Sequence, residues 1–415
     1  MSARPEPRSG RDVTLALALA AFFSAIQFYP ALAALSPTPA VGYLFLDRSG
    51  AAAVVALLVL TAAFGFLRLR AAPADAAGSA PSRRMLALWL GAAVVSSLLG
   101  VDPVTSLEAI ALGGVAAVFH LTLVRFYARP PVAALVLSCY LTVGGLATLA
   151  AIGMDLVRRP AALYALNHGR AAGPFVTTNQ FGAFLVFDAF LALGIALATR
   201  RRWLARLAVS NGALALAGLA LSFSRGAWLG AAAGACLYAA LLGARRTAFA
   251  GAALVVLTAA VVLGTTVAGH NPAEAFTRLT TLTAGLRVAT LFPLTGSGPM
   301  TYYELFPQVR PSNGGLPGSF EALHPHNVVL SLLGELGIAG TLAVTLGWIV
   351  FGRAVRARLA GAPPANRRLA CAICAAFAAL FVQGMADLIG IVEMTFVWIP
   401  YAALGLAAAS HGLAE

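Results

Sequence analysis

The sequence contains no lysine, and it carries little charge of either sign. Charged residues make up only 10% of its 415 residues, whereas hydrophobic residues make up 60%. A soluble globular chain has about 25% charged and about 45–50% apolar residues, so this composition excludes an ordinary soluble protein. The sequence is instead that of a polytopic membrane protein.

Acidic residues and cysteines are also scarce. The chain has 15 aspartates and glutamates, and no group of them has the spacing of a metal site. All four cysteines fall within apolar runs. Cys371 and Cys374 form a Cys-x-x-Cys pattern without a second pair, which we attribute to small packing residues in a helix. The sequence therefore predicts neither a disulfide framework nor a bound metal cofactor.

Apolar runs long enough to cross a bilayer recur along the whole chain. A membrane helix needs roughly 17 to 25 such residues. The runs predict twelve spans, at 13–36, 50–67, 85–101, 105–124, 132–156, 179–199, 206–223, 227–243, 247–268, 327–351, 369–386 and 389–410. We therefore predict an all-α fold in which residues 1–415 form a single integral membrane domain.

The distribution of arginine predicts the orientation of these spans. The net charge of +13 comes from 28 basic residues, all of them arginines, and with a cytoplasmic N-terminus most of them fall on the cytoplasmic side. Both termini are then cytoplasmic, the first span is a retained helix, and no nucleic-acid partner is implied. Charge bias gives no reason for the arginines that face outward, which makes them candidates for binding anions: Arg48, Arg158, Arg159, Arg170, Arg225, Arg278, Arg287 and Arg310.

The longest outward segment covers residues 269–325. Its first part, "AEAFTRLTTLTAGLRVATLFPL", repeats apolar residues at helical spacing, which predicts a helix lying at the membrane surface. The following "PLTGSGPMTYY" breaks that helix with prolines and glycines. Because long loops in compact proteins are usually functional or disordered, and this one has helical periodicity, we expect it to contribute to function.

Two histidines close the long segment, in "EALHPHNVVLSLLGELGIAG". His324 and His326 flank a proline, and Asn327 is a plausible N-cap for the next span. Asn327, Ser331 and Glu335 follow at four-residue intervals and therefore share one helix face that runs into the bilayer. Two interpretations remain open. Either these groups are functional, or the histidines lie among lipid headgroups while Glu335 pairs with an arginine for structure.

Two further polar motifs interrupt apolar runs. In "LSFSRGAWLG", Arg225 is either an anion ligand or an interfacial anchor with Trp228 as a belt residue. In "FVTTNQFGAFLVFD", capping of a helix explains most of the polar residues from Thr177 to Gln180. Asp387 and Glu393 are too isolated in the sequence to interpret.

The outward features combine into one chemical hypothesis. A histidine can serve as a general base near neutral pH, and arginines can bind phosphates with two hydrogen bonds each. Without an acidic metal site, guanidinium groups alone would stabilise a pyrophosphate leaving group. The pattern is typical of a transferase that uses a polyprenyl-pyrophosphate donor at the outer leaflet.

The order of the motifs "RAAGPFVTTNQFGAFL", "LSFSRGAWLG", "LRVATLFPLTGSGP" and "HPHNVVLSLLGELGIAG" resembles the O-antigen ligase and polymerase superfamily of bacterial inner membranes, and most closely the O-antigen ligases. The resemblance covers roughly residues 95 to 345. It implies a twelve-span architecture like that of GT-C glycosyltransferases. It also implies transfer of an undecaprenyl-pyrophosphate-linked glycan to the lipid A core on the periplasmic face, without a metal or nucleotide sugar.

The resemblance also implies roles for individual residues. His326 matches the position implicated in activating the acceptor hydroxyl, and His324 matches a less constant position. Arg225 and Arg287 match arginines implicated in binding the donor pyrophosphate, and Arg170 lies near a glycine-rich element that is matched only loosely. Asn327 and Glu335 belong to the histidine motif as supporting residues.

Three other functions remain open from the sequence alone. An O-antigen polymerase would use the same donor with a second lipid-linked glycan as acceptor. A protein O-oligosaccharyltransferase is expected to carry a soluble region after its last span, and little of this sequence follows residue 410. A twelve-helix transporter would place polar residues at mid-membrane depth, whereas the outward arginines and the two histidines cluster at one face.

Overall fold

The structure is a computed structural model, which describes residues 80–126, 130–158, 167, 169–173, 177–244, 246, 251–253, 255, 257, 272–311, 322 and 324–387. Within these ranges the chain is helical and contains no strand, as predicted. The bounds of ten helices are defined: α1 (Ala80–Leu99), α2 (Pro103–Phe126), α3 (Pro130–Val157), α4 (Thr178–Ala198), α5 (Arg202–Ser222), α6 (Arg225–Leu241), α7 (Pro272–Leu291), α8 (Tyr302–Val309), α9 (Val328–Leu359) and α10 (Pro364–Gly384).

Eight of the predicted spans coincide with one helix each, namely α1 to α6, α9 and α10. Among the described residues, six helices are long and apolar enough to cross a membrane: α1, the 137–157 part of α3, α4, α5, α9 and α10. The predicted spans 13–36, 50–67 and 389–410 lie outside the described residues, and only parts of 247–268 lie within them. The total of twelve spans therefore stays a prediction.

Helix α4 forms the centre of the largest core among the described residues. It contacts α3, α5, α6 and α10, and its side chains are buried along nearly the whole helix. Phe181, Phe184 and Phe187 are fully buried there. A helix that is apolar on all sides needs protein or lipid around it, and here the neighbouring helices cover most of it. The polar first turn of α4 is thereby fixed at one end of the bundle.

Glycines bring α6 and α10 into close contact. Gly226, Gly230 and Gly234 recur every four residues on the face of α6 that meets α10. A Cβ atom at Gly230 would lie 2.4 Å from the carbonyl oxygen of Ala379 on α10. Small residues at this spacing allow two membrane helices to approach backbone to backbone. This contact fixes the start of α6, where Arg225 lies, against the end of α10.

Helix α9 is interrupted at Gly337, whose φ of 65° and ψ of −176° are not helical. The loop after α7 fills the interruption. The amides of Ser297 and Gly298 donate to the carbonyls of Gly334 and Glu335, at 2.9 and 3.0 Å. In the other direction, the amide of Ile338 donates to the carbonyl of Pro293 at 2.9 Å. The "PLTGSG" loop thus supplies the hydrogen bonds that the broken helix lacks.

The helix predicted within the long outward segment is present as α7, which packs on α8 and α9. Its small side chains face the protein, because Thr281, Ala284 and Val288 are buried. Leu279 and Leu286, which belong to the apolar repeat seen in the sequence, are 61% and 56% exposed. This exposed leucine face is compatible with contact to lipid, and the location of α7 at the membrane surface stays a prediction.

Candidate functional site

The histidine motif lies just before α9 and is fixed by its last residue. Asn327 is the N-cap of α9, as predicted, and its side-chain oxygen accepts hydrogen bonds from the amides of Val329 and Leu330, both at 3.0 Å. The Asn327 side-chain nitrogen donates to the carbonyl of Met385, just after α10, at 3.0 Å. One asparagine therefore begins α9 and ties it to the end of α10.

His326 is held in an uncommon backbone conformation, with φ of 54°. A non-glycine residue in this left-handed region costs of the order of 1–3 kcal/mol, so the surrounding contacts must enforce it. Helix α7 supplies one of these contacts, because Gly285 lies directly against the preceding Pro325, and a Cβ at Gly285 would be 2.5 Å from the Cβ of that proline. The histidine motif is thus packed between α7 and the start of α9.

The imidazole of His326 bonds to Asp387. Its Nδ1 lies 2.6 Å from Oδ1 of Asp387, and the two side chains are 33% and 15% exposed. An ionised carboxylate can only accept a hydrogen bond, so Nδ1 carries the proton in this pair. The lone pair of the neutral ring is then on Nε2. A histidine in this tautomer is prepared to accept a proton at Nε2.

His324 lies beside His326 in the structure. The two rings meet edge to face at 4.6 Å, and the amide of His326 donates to Nδ1 of His324 at 3.2 Å. Burial lowers the pKa of His324 to about 4, with the neighbouring His326 acting in the same direction and Asp387 opposing it. His324 is therefore neutral near pH 7 and accepts a backbone hydrogen bond, which supports the conformation of His326.

Asp387, too isolated in the sequence to interpret, is the partner that orients His326. Burial acts to raise the pKa of its carboxyl, but the hydrogen bond and charge of His326, with the charges of His324 and Arg278, outweigh burial and lower the pKa. Its Oδ2 accepts a hydrogen bond from Nδ2 of Asn179. No spacing in the sequence connects Asp387 with His326, because 61 residues separate them.

A cleft next to this pair is lined by three arginines. Arg170, Arg225 and Arg278 line it together with Asp387 and four other residues: Asn179, Gly226, Gln383 and Ala386. Arg170 comes from the loop before α4, where its backbone amide and its Nε both donate to the carbonyl of Asn167, at 3.1 and 3.2 Å. Arg225 is the first residue of α6, and Arg278 lies on α7. Two of the predicted donor-binding arginines, Arg170 and Arg225, thus lie together.

Arg287 is not among the described residues that line this cleft. Its side chain is exposed, and its Nη1 donates to the carbonyl of Val309 at the end of α8, at 2.8 Å. Nine residues along a helix correspond to a rotation of about 180° beyond full turns, so Arg278 and Arg287 lie on opposite faces of α7. The charge distribution marks Arg278 as an outward arginine, but no motif in the sequence selects it for the site. Arg278 is assigned to the site by its position at the cleft in the structure.

Glu335 lies in α9 one turn after a buried serine, as its spacing predicted. The backbone amides of Met300 and Tyr302, in the segment that leads into α8, are among the groups near its side chain. These neighbours are backbone groups, whereas the structural interpretation of the sequence paired Glu335 with an arginine. The backbone carbonyl of Glu335 accepts a hydrogen bond from the amide of Gly298 at 3.0 Å, and this contact joins the segment after α7 to α9.

The cluster His324, His326 and Asp387 also has the composition of a metal site. One ligand atom from each residue lies within 4.8 Å of the others, so the three side chains could hold a metal ion. Arg278 and two further arginines around the neighbouring cleft oppose the binding of a second positive charge there. The expected independence from metal stays a prediction that a chelator can test.

Comparison with known proteins supports the sequence resemblance. Residues 210–345 match the sequence model of the family described as O-Antigen ligase. The match runs from α5 through Arg225, α7 and the histidine motif into α9. No curated protein matches the chain. This match and the order of the four motifs support membership of the O-antigen ligase/polymerase superfamily.

Proposed function

We propose that the protein is an O-antigen ligase, which transfers a glycan from undecaprenyl pyrophosphate to the lipid A-core oligosaccharide. One observation carries the proposal: the carboxylate that orients His326 lines the same cleft as Arg170, Arg225 and Arg278. A base and a group of anion ligands are thus adjacent. Glycosyl transfer from a pyrophosphate needs the base and the anion ligands close enough to act on the same bound donor.

The proton of the acceptor hydroxyl goes to His326. As the acceptor oxygen forms its bond to the anomeric carbon, Nε2 of His326 takes up the hydroxyl proton. Asp387 keeps its hydrogen bond to Nδ1 and stabilises the imidazolium that forms. The carboxylate does not need to take the proton itself.

The arginines act on the leaving group. The bond between the anomeric carbon and the pyrophosphate oxygen breaks, and the electron pair leaves with undecaprenyl pyrophosphate. Arg170, Arg225 and Arg278 would bind that pyrophosphate with forked hydrogen bonds and balance its growing charge. The resemblance also assigns Arg287 to the donor, and a comparison of Arg278 with Arg287 tests that assignment.

The proposed setting is the bacterial inner membrane. Residues 1–415 would form one membrane domain with both termini in the cytoplasm, and the 269–325 segment would lie on the periplasmic side. The arginine distribution supports this orientation. The lipid tail of the donor and the acyl chains of the acceptor would then stay in the bilayer while their polar parts meet at the cleft.

An O-antigen polymerase of the same superfamily is the main alternative. It would use the same donor site, and its acceptor would be a second lipid-linked glycan. Deletion of the gene separates the two. Loss of every capped lipopolysaccharide species, with lipid-linked polymer accumulating, indicates a ligase. A cap of a single repeat unit indicates a polymerase.

A carrier of lipid-linked glycans is an alternative from another class. The test is a reaction in detergent with purified protein, undecaprenyl-pyrophosphate-linked glycan and lipid A-core acceptor. Formation of the joined product without a membrane excludes a pure carrier, since a carrier makes no bond. Failure of the wild-type protein to form any product under these conditions contradicts the proposed ligase.

A further inference from the structure

Asn179 connects the two parts of the candidate site. It lies in the first turn of α4, and its side chain bonds in two directions. Its Nδ2 donates to Oδ2 of Asp387, and its Oδ1 accepts a hydrogen bond from the hydroxyl of Ser224 at 2.8 Å. Its backbone carbonyl accepts a hydrogen bond from Nε2 of Gln383 at 2.9 Å. The side chain therefore lies between the partner of His326 and the residue that precedes Arg225.

The hydrogen bond of Ser224 supports a specific link between α6 and Asn179. Ser224 occupies the N-cap position of α6, where a serine hydroxyl usually bonds to an amide of its own helix. Here it makes no capping hydrogen bond and donates to Asn179 instead. The close approach depends on Gly182, where a Cβ would lie 2.8 Å from the Cβ of Ser224. Helix α6 thus begins without a side-chain capping hydrogen bond, and the glycine in α4 leaves space for the contact between Ser224 and Asn179.

The amide of Asn179 fits the chain of hydrogen bonds. Asp387 accepts from His326 at one oxygen and from Asn179 at the other. The group at position 179 must therefore donate toward Asp387 while it accepts from Ser224. An asparagine does both with one planar group, whereas an ionised aspartate of the same shape can only accept. The partners also fix which end of the Asn179 amide faces Asp387.

We propose that Asn179 is a positioning residue that holds Asp387 in the orientation required by His326 and links that orientation to Ser224 at the start of α6. The inference rests on the proposed glycosyl transfer. Asn179 acts through Asp387 on the base, so its loss should reduce turnover with saturating substrates. The arginines that bind the donor keep their own contacts, so donor affinity should be nearly unchanged.

Four purified variants and one control variant test the proposal, each assayed for turnover, donor affinity and thermal stability. Asn179→Asp keeps the shape and removes the donated hydrogen bond. Asn179→Ala and Ser224→Ala, alone and combined, measure the coupling of the two side chains. Asn211→Ala is the matched control, because Asn211 donates in the same way to a different carboxylate of the core, Asp188, at 2.6 Å, and does not line the cleft.

The expected results differ among the variants. Turnover should fall on the order of 10²-fold in Asn179→Asp, since two carboxylates then face each other. Ser224→Ala should lose on the order of 3- to 10-fold, as for one neutral hydrogen bond. The double variant should be no slower than Asn179→Ala, because both act through one connection. Asn211→Ala should lose thermal stability and keep its turnover per folded molecule.

Other results would overturn the inference. Wild-type turnover in Asn179→Asp would show that shape alone matters at position 179. Equal losses of turnover, donor affinity and stability would reduce Asn179 to a packing role. If Asn179→Asp does not fold, the two alanine variants and their double variant test the inference. Losses of turnover that add up in the double variant would contradict the connection. A wild-type protein that joins no glycan to the acceptor would contradict the proposed function, which is a separate outcome.

Discussion

His326 and Asp387 are 61 residues apart in the sequence, yet Nδ1 of the histidine lies 2.6 Å from Oδ1 of the aspartate. The histidine is fixed by the start of α9, and the aspartate follows α10. Neither helix places the pair alone. Asn327 joins the two helix ends through the carbonyl of Met385, which keeps His326 and Asp387 together.

The first prediction concerns Asp387. In Asp387→Asn the amide can donate to Nδ1 of His326, which favours the tautomer with the proton on Nε2 and removes the base. We expect turnover to fall by about 10² to 10⁴, while the affinity for donor stays within a few-fold. Product formation under saturating donor and acceptor measures the first quantity, and donor binding to purified protein measures the second. Wild-type turnover would remove Asp387 from the mechanism.

The second prediction separates the two histidines. His326→Ala should keep its affinity for the undecaprenyl-pyrophosphate donor and lose turnover by about 10² to 10⁴, which would look like a null in cells. His324→Ala should be milder, because His324 is neutral and only accepts the amide of His326. The lipopolysaccharide ladder of complemented deletion strains and the detergent assay both show which variant loses more activity. A greater loss in His324→Ala than in His326→Ala would reverse the roles.

A chelator provides the control for that mechanism. The wild-type enzyme should remain active in excess chelator, because arginines take the place of a metal at the leaving group. Loss of activity that a divalent ion restores would contradict the base mechanism. The cluster of His324, His326 and Asp387, whose ligand atoms lie within 4.8 Å of one another, would then be a metal site.

The third prediction compares Arg278 with Arg287. Arg225→Ala and Arg278→Ala should each weaken donor binding on the order of 10²-fold, since both guanidinium groups line the cleft. Arg287→Ala should be weaker in effect, because its Nη1 bonds to the carbonyl of Val309 on the other side of α7. Lysine at 225 or 278 should rescue poorly, since it lacks the forked geometry. Equal loss in Arg287→Ala would support the assignment made from the resemblance.

The sequence predicts the helices and their caps, but it does not predict which arginine of α7 faces the cleft. Hydropathy places α1 to α6, α9 and α10, and capping rules explain Asn327 and the capping box of Thr177 with Gln180, because both depend on neighbours within a few residues. The choice between Arg278 and Arg287 depends on the face of α7 that meets the cleft. In the sequence, the exposed Leu279 and Leu286 give the stronger apolar signal, whereas the protein-facing side consists of small residues.

Asp387 and Asn179 illustrate a different limit. Each lies at the end of an apolar helix, where a polar residue is ordinary. Their importance comes from a hydrogen bond between residues 208 positions apart. No local period or motif carries such a contact, so only the packing of α4 against α10 reveals it.

The fourth prediction concerns topology. If the 269–325 segment is periplasmic and both termini are cytoplasmic, single cysteines at Asn313 and Ala362 should lie on opposite sides of the membrane. In a background without the four native cysteines, an impermeant thiol reagent added to intact spheroplasts should label Asn313→Cys and not Ala362→Cys. Both should be labelled after lysis. Labelling of both in intact spheroplasts would overturn the twelve-span orientation.

The fifth prediction tests the interruption of α9. Gly337 has φ of 65°, and a Cβ there would lie 2.4 Å from the carbonyl of Leu294. Gly337→Ala must therefore strain the backbone, at about 1–3 kcal/mol, and also displace the "PLTGSG" loop. Gly352 is the matched control, because it lies in the same helix and a Cβ added there would have no atom within 4 Å. Gly352→Ala should be neutral or stabilise by about 0.5–1 kcal/mol.

Thermal unfolding of the two purified variants in one detergent measures this difference. The midpoint should fall in Gly337→Ala and be unchanged or slightly raised in Gly352→Ala. The loop that enters the interruption continues directly into α8. Displacing it should also move α7, which packs on both α8 and α9 and carries Arg278. Donor affinity should therefore fall together with stability in Gly337→Ala, and a stable variant with weak donor binding would contradict this mechanical explanation.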